Sequence, residues 1–191
     1  MYEILSHIKQ QDTSWFYTIN SGFHNPLFDA LMPALSRAAD GGILWIVFSL
    51  ALLLFGGREL KKASLLMLAA LLGSFIIGDE LLKNVVQRPR PFMAIPGVDL
   101  LVVPPHSYSF PSGHAAAAFA VWLVVARKIP PLSLPVVVLA AAIAFSRVYV
   151  GVHYPLDVLT GGVLGLLTAL LVLRLERMVT GLPRERLNRN I

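Results

Sequence analysis

The sequence predicts an all-α protein, a six-helix integral membrane bundle preceded by an N-terminal interfacial segment. Two observations carry that fold class. Of 191 residues, 56% are hydrophobic and 14% charged, against about 25% charged in an ordinary globular chain, and mean hydropathy is +0.69. Charge-free runs at 41–57, 63–78, 129–146 and 158–173 also approach the roughly 20 apolar residues, about 17 at the least, that cross a hydrocarbon core as helix.

The elements follow in order. Residues 1–22 mix Glu3, Lys9 and Asp12 with Trp15, Phe16 and Tyr17. They lack the basic start and continuous apolar core of a cleavable signal, so an amphipathic segment at the interface is expected. Residues 24–39 form the weakest helix, because they carry Asp29, Pro33 and Arg37. Helices are expected at 42–57 and 62–84, the second extending into its charged flank, where Lys and Arg can snorkel. The run 107–126 is interrupted only by His114 and yields a helix at 113–128; two more are expected at 132–149 and 155–176. No internal repeat or second domain is visible, so residues 1–191 form one membrane domain with six crossings over 24–176 and a basic tail at 177–191.

Six crossings place both termini on one face. In that arrangement eleven Lys and Arg lie on the terminal face and five opposite, namely Arg37, Lys83, Arg88, Arg90 and Arg147. The positive-inside tendency then makes the termini cytoplasmic. The same bias accounts for the net charge of +5 and the pI near 9.8 without a nucleic-acid partner. With no cysteine, the chain has no disulfide, thiolate metal site or cysteine nucleophile.

Three polar blocks converge on the outer face of this topology: Lys83 with Arg90-Pro91, Pro111-Ser112-Gly113-His114, and Ser146-Arg147 followed by His153 and Asp157. Ser112 precedes an alanine run and is a natural N-cap, and Gly113 leaves its amide accessible; free amides at a helix start bind phosphate. His153 and Asp157 are four apart around Pro155, a residue suited to a first helical turn. That spacing lets the carboxylate accept a hydrogen bond from Nδ1–H, fixing the Nε2 lone pair outward. Lys83, Arg90 and Arg147 supply three fixed cations, and bidentate arginine geometry suits phosphate. Arg88 reads as an interfacial snorkelling residue. Residue types alone leave open which histidine attacks.

These blocks, Lys83-x6-Arg90-Pro91, Pro111 to His114 and Ser146-Arg147-x5-His153-x3-Asp157, resemble the three signature blocks of the type 2 phosphatidic acid phosphatase family. The resemblance covers roughly 60–175. It implies a membrane fold related in its core to vanadium haloperoxidases and acid phosphatases, and a lipid phosphatase or diphosphatase without metal or cofactor. It further implies that His153 attacks phosphorus to form a phosphohistidine, Asp157 orients it, and His114 protonates the leaving oxygen and later activates water. Lys83, Arg90, Ser112, Gly113 and Arg147 would bind the phosphoryl oxygens.

Small members of the family resemble undecaprenyl diphosphatases, so the expected reaction converts undecaprenyl diphosphate to undecaprenyl phosphate. Phosphatidylglycerophosphate and phosphatidic acid are the alternatives. Many such diphosphatases carry Asp where this chain has Gly113. The expected partners are the lipid substrate and membrane lipids, in a bacterial inner membrane with the site facing outward or to the periplasm.

Further residues have narrower readings. Asp79 and Glu80, four and three before Lys83, suit intrahelical pairing that holds that lysine. His106, Ser107 and Tyr108 stand where an entrance could be lined. The connection 92–110, with Val98, Leu100, Leu101, Val102 and Val103 among its prolines, reads as a guide for an acyl or prenyl chain, or as a cover. Gly161 and Gly165 read as helix-packing positions. A transporter would use Asp79 and Glu80 but would not require the His-Asp-Arg constellation. A metal site at His114, His153 and Asp157 is disfavoured by three adjacent cations.

Overall fold

The computed structural model describes residues 2–181 and is all-α. Seven principal helices follow one another: α1 (Tyr2–Asn20), α2 (Pro26–Ala38), α3 (Ile43–Phe55), α4 (Arg58–Phe75), α5 (Gly113–Lys128), α6 (Ser133–Tyr149) and α7 (Pro155–Thr180). Helix α4 continues through a π-helical stretch, Ile76–Leu82, into a last turn, Lys83–Val86, and a short helix Pro91–Ala94 follows. The basic tail expected at 177–191 begins as the end of α7, and its remainder lies outside the described residues.

The core forms around α5, which is flanked by α4, α6 and α7. Ala118, Val121, Val124 and Val125 of α5 meet Met67, Ala70 and Leu71 of α4, Ala140 and Ile143 of α6, and Ala169 of α7. The two glycines of α7 let it approach α5 at backbone distance, as their spacing suggests. A Cβ at Gly161 would collide with the Ser112 carbonyl oxygen, and one at Gly165 with that of Ala116. Only a residue without Cβ fits there.

Helices arise at all six expected places; the stretches long and apolar enough to cross a membrane are fewer than the six crossings expected. Three stretches, Arg58–Ala94, Pro130–Tyr149 and Pro155–Thr180, are long and apolar enough to cross a membrane; a fourth exists if α2 and the segment from Asp40 to Phe55 form one broken span. The axes of that pair differ by only 49°. Gly41 and Gly42 between them adopt φ +59° and +74°, the left-handed region that ends a helix, and the chain then continues without reversing. Helix α2 packs on α6, with Phe28, Met32 and Leu35 against Phe145 and Tyr149, whereas α3 packs on α4.

Asp12 of α1 contacts Arg88 and the Leu156 amide at the start of α7, while Gly181 lies beyond the far end of α7. At 1.5 Å per residue, the 26-residue α7 separates its ends by about 39 Å. Asp12 and Gly181 thus stand at opposite ends of α7, whereas the expectation that both termini share a face counted α2 and α3 as two crossings.

Helix α1 is amphipathic. It buries Asp12, Phe16 and Asn20 completely and exposes Ile4, Ile8 and Trp15. The Asn20 side chain donates to the carbonyls of Asp99 (2.9 Å) and Tyr149 (2.8 Å) and accepts from the Asp99 amide (3.0 Å), which seats α1 against the connection after Ala94. Asp29, whose charge weakens the second helix in sequence, pairs with His24 at 2.6 Å and accepts from the Tyr149 hydroxyl at 2.5 Å.

Candidate active site

The ends of α4, α5, α6 and α7 bring all three polar blocks to one cavity of about 510 Å³. Lys83, Arg90, Gly113, His114, Arg147 and His153 line it. Asp157 and Ser112 stand behind this lining, both fully buried.

Lys83 closes the π-helical stretch and pairs with Asp79 one turn earlier, as the spacing of four anticipates. Glu80 is exposed and, among the described residues, its side chain makes no such pair. The wider π turn lies next to the cavity, a common setting for such turns. Arg90, on the connection beyond, is held by its surroundings: Nε donates to the Ser107 carbonyl (2.7 Å), Nη2 to Ser107 Oγ (3.1 Å) and Nη1 to the Val152 carbonyl (2.8 Å). These bonds fix the direction in which the guanidinium faces the cavity.

His153 sits on the short connection between α6 and α7, 1% exposed. Arg90 Nη1 faces its Nε2 at 3.3 Å. A guanidinium can only donate, so Nε2 is the accepting nitrogen and the ring proton belongs on Nδ1. Burial holds His153 well below the ordinary histidine range, and Arg90, Arg147, Lys83 and His114 push in the same direction. The imidazole is neutral, with its lone pair toward the cavity lined by the cations.

The direct His153–Asp157 hydrogen bond expected from the sequence spacing is not made. Nδ1 and Asp157 Oδ2 are 3.7 Å apart, and Ser109 Oγ stands beside both, 3.5 Å from Nδ1 and 2.5 Å from Oδ2. Asp157 Oδ2 also accepts the Tyr154 amide at 3.0 Å, the reciprocal bond of a helix-capping box. Its Oδ1 accepts from Arg88 Nη1 at 2.7 Å. Arg88 is therefore no snorkelling residue: its other nitrogen donates to Asp12 at 2.7 Å, and its guanidinium lies 3.8 Å over the Tyr154 ring.

His114 begins α5 and directs Nε2 at two acceptors, Asp40 Oδ1 (3.0 Å) and the Ser36 carbonyl (3.3 Å), which places the proton on that nitrogen. Arg147, at the end of α6, donates to the Ser36 hydroxyl and lies 3.7 Å from Asp40. Ser112 occupies the N-cap position of α5 without making the side-chain cap expected of it; its amide donates to the Asp157 carbonyl at 2.9 Å. Among the described residues, Ser112 Oγ and Arg147 Nε are buried without a hydrogen-bond partner. Two such groups beside three cations suit an oxyanion with several acceptor oxygens.

The other end of the cavity is apolar, walled by Ile46 of α3 and by Leu68, Leu71, Leu72 and Phe75 of α4. The connection 92–110, read as a chain guide or a cover, packs in large part onto the protein. Leu100, Leu101 and Val102 pack against Met32, Tyr149, Val150 and Val152, and Ile95 and Val98 against Phe16, Val148 and Tyr154. From that connection only Pro105 and Ser107 reach the cavity; His106 and Tyr108 do not line it.

Sequence reasoning missed Asp12, Ser36, Asp40 and Ser109. The one available signal was Asp40-Gly41-Gly42, a polar and glycine-rich break inside an apolar stretch.

Comparison with known proteins agrees with this geometry. The PAP2 superfamily model matches residues 62–180. An undecaprenyl-diphosphatase of Sulfolobus acidocaldarius is 31% identical over 134 residues, covering 70% of this chain and 64% of that protein, just under two thirds of its length. The crystal structure of a transmembrane PAP2-type phosphatidylglycerolphosphate phosphatase from Bacillus subtilis superposes with a TM-score of 0.70 at 25% identity, over 94% of this chain and 90% of the other. A bacterial vanadium-dependent iodoperoxidase shares the fold alone, with a TM-score of 0.69 at 15% identity over 86% of this chain and 48% of its own. With the three blocks gathered at one cavity and the family model spanning most of the helical bundle, the chain belongs to the PAP2 superfamily.

Proposed function

We propose that this protein hydrolyses the headgroup of a membrane lipid phosphate or diphosphate through a phosphohistidine intermediate, with undecaprenyl diphosphate as its substrate and undecaprenyl phosphate and inorganic phosphate as products. The observation that carries the reading is the two-ended cavity. Lys83, Arg90, Arg147 and two histidines stand at one end, and Ile46, Leu68, Leu71, Leu72 and Phe75 at the other. A soluble phosphate ester has no use for that apolar wall; a lipid phosphate fills both ends.

His153 Nε2 attacks the terminal phosphorus while the bond from phosphorus to the leaving oxygen breaks. His114, protonated on both ring nitrogens, gives its Nε2 proton to that oxygen. Neutral His114 then takes a proton from water as the water oxygen attacks phosphorus, the P–N bond breaks, and inorganic phosphate leaves with His153 restored. Lys83, Arg90 and Arg147 stabilise the equatorial oxygens together with the Ser112 hydroxyl and the Gly113 amide. Asp157 holds the histidine ring from behind through Ser109, whose hydroxyl donates to Oδ2 and stands beside Nδ1. Three fixed cations repel a divalent ion, so the chemistry runs without metal.

In this reading the bundle crosses the bacterial inner membrane five times, through the broken α2–α3 span, the three long apolar stretches and the 16-residue α5 at their centre. Seven of the described Lys and Arg (Arg58, Lys61, Lys62, Arg127, Lys128, Arg174 and Arg177) flank helix ends on the face away from the site. Of the six on the site's face, four (Lys83, Arg88, Arg90 and Arg147) are engaged within it. The site therefore faces outward, with α1 at the outer interface and α7 ending in the cytoplasm.

A second reading, a phosphatidylglycerophosphate phosphatase, draws support from the Bacillus subtilis structure and from Gly113 in place of the aspartate common in diphosphatases. Purified protein assayed on undecaprenyl diphosphate, phosphatidylglycerophosphate and phosphatidic acid, with His153→Ala as control, decides among them. Highest kcat/KM on the diphosphate is expected. Equal phosphate release by wild type and His153→Ala would defeat the assignment of the nucleophile.

A further inference from the structure

We propose that Asp12, on the N-terminal helix, is a positioning residue for the His153 nucleophile, acting through Arg88 and Asp157. The proposal rests on the phosphatase reading above and extends the site to a helix outside the three polar blocks.

Two carboxylates, Asp12 and Asp157, are completely buried, and one guanidinium lies between them. Arg88 forks: Nη2 donates to Asp12 Oδ2 and Nη1 to Asp157 Oδ1, each at 2.7 Å. Asp12 Oδ1 accepts the Leu156 amide at 2.9 Å, so the same side chain also satisfies an amide in the first turn of α7, one residue before Asp157. The Tyr154 ring covers the guanidinium face. Every part of this linkage is fixed at both ends.

The charge balance gives the linkage its purpose. Arg88 facing Asp157 alone would neutralise the carboxylate that stands behind the nucleophile. With Asp12 on the other arm, the trio keeps one net negative charge next to a histidine otherwise surrounded by Lys83, Arg90, Arg147 and His114. That charge favours the positive charge that develops on the His153 ring as Nε2 bonds phosphorus. The fork also fixes the orientation of Asp157, whose other oxygen holds the Tyr154 amide and the Ser109 hydroxyl beside His153. Loss of the Asp12 charge should weaken the nucleophile while leaving the phosphate-binding cations in place.

The test compares Asp12→Asn with Asn20→Ala, which loosens the same helix at Asp99 and Tyr149 without touching Arg88. Steady-state kinetics on the best lipid phosphate and the pH profile of kcat/KM are measured for each. For Asp12→Asn, kcat should fall by about tenfold or more with KM within about twofold. The acid limb of kcat/KM should move down by roughly half a pH unit or more, because a lost negative charge makes protonation of His153 harder. Partial misfolding lowers the amplitude of such a profile and does not move its limb. Asn20→Ala should keep the wild-type limb and kcat per folded enzyme.

Wild-type kcat and limb in Asp12→Asn overturn the proposal, as does an equal loss in both variants. If Asp12→Asn does not fold, Arg88→Lys replaces it, because a single ammonium cannot fork to both carboxylates. A fall in kcat with a displaced limb then supports the proposal, and wild-type values of both overturn it. Absence of phosphate release by wild type from every lipid phosphate overturns the phosphatase reading and the role of Asp12 with it; activity in wild type with an unaltered variant overturns only the latter.

Discussion

Gly113 presses on the Asp79 carboxylate: a Cβ at position 113 would stand 2.7 Å from Oδ2 and 3.0 Å from Oδ1. Asp79 is the partner of Lys83, so the absence of a side chain at 113 is what lets the start of α5 and the end of α4 share one cavity, the proposed phosphate site. Gly113→Ala should displace the carboxylate and with it the lysine. We expect kcat/KM to fall about 10- to 100-fold, roughly 1.4–2.8 kcal/mol of transition-state stabilisation. Thermal stability in detergent should change by about 1–3 kcal/mol at most, as for local overpacking. Retention of wild-type kcat/KM in Gly113→Ala would show that the contact is irrelevant to phosphate binding.

The pH dependence follows from the surroundings of His153. Its folded value lies below the ordinary histidine range, first because it is buried and then because Arg90, Arg147, Lys83 and His114 face it. The neutral form, the one proposed to attack phosphorus, therefore persists as pH falls through 6.5 and is lost only at lower pH. Arg90→Gln removes the cation 3.3 Å from Nε2. Protonation becomes easier, and the acid limb of kcat/KM should move toward higher pH while KM rises. A limb that stays in place, measured over roughly pH 4–8 on the same lipid, would mean that the titrating group is not His153.

Much of this site was legible because its central residues lie in three short blocks with fixed spacings beside apolar runs. Lys83, His114, Arg147 and His153 line one cavity for that reason. Asp12, Ser36, Asp40 and Ser109 could not be read in this way. Ser36 lies 111 positions from Arg147 and Asp12 lies 144 from Leu156, so no local spacing records their contacts. The crossing number is hard to read for a different reason. Hydropathy detects apolar length but not whether a break reverses the chain, and Gly41 and Gly42 turn it by only 49°.

Removal of divalent metal should leave the reaction intact. In the proposed reaction Lys83, Arg90 and Arg147, which line the polar end of the cavity, supply the charge stabilisation a metal would otherwise provide. Phosphate release measured after dialysis against EDTA should match the untreated enzyme. Vanadate, which resembles the five-coordinate phosphoryl transition state, should inhibit competitively. Abolition by chelator with rescue by a divalent ion would replace the phosphohistidine route with a metal-assisted one.

The altered crossing number yields a sharp labelling prediction, helped by the absence of native cysteine. Gln10 is exposed on α1, on the side of the site, and Gly57 lies in the turn joining α3 to α4 at the far end of the bundle. A membrane-impermeant maleimide applied to intact spheroplasts should modify Gln10→Cys and reach Gly57→Cys only after permeabilisation. Labelling of neither position before permeabilisation would restore a cytoplasmic N-terminus and a sixth crossing. The α2–α3 break would then have to open into a hairpin, against the packing of α2 on α6. Labelling of Gly57→Cys alone would invert the protein and turn the phosphate site toward the cytoplasm.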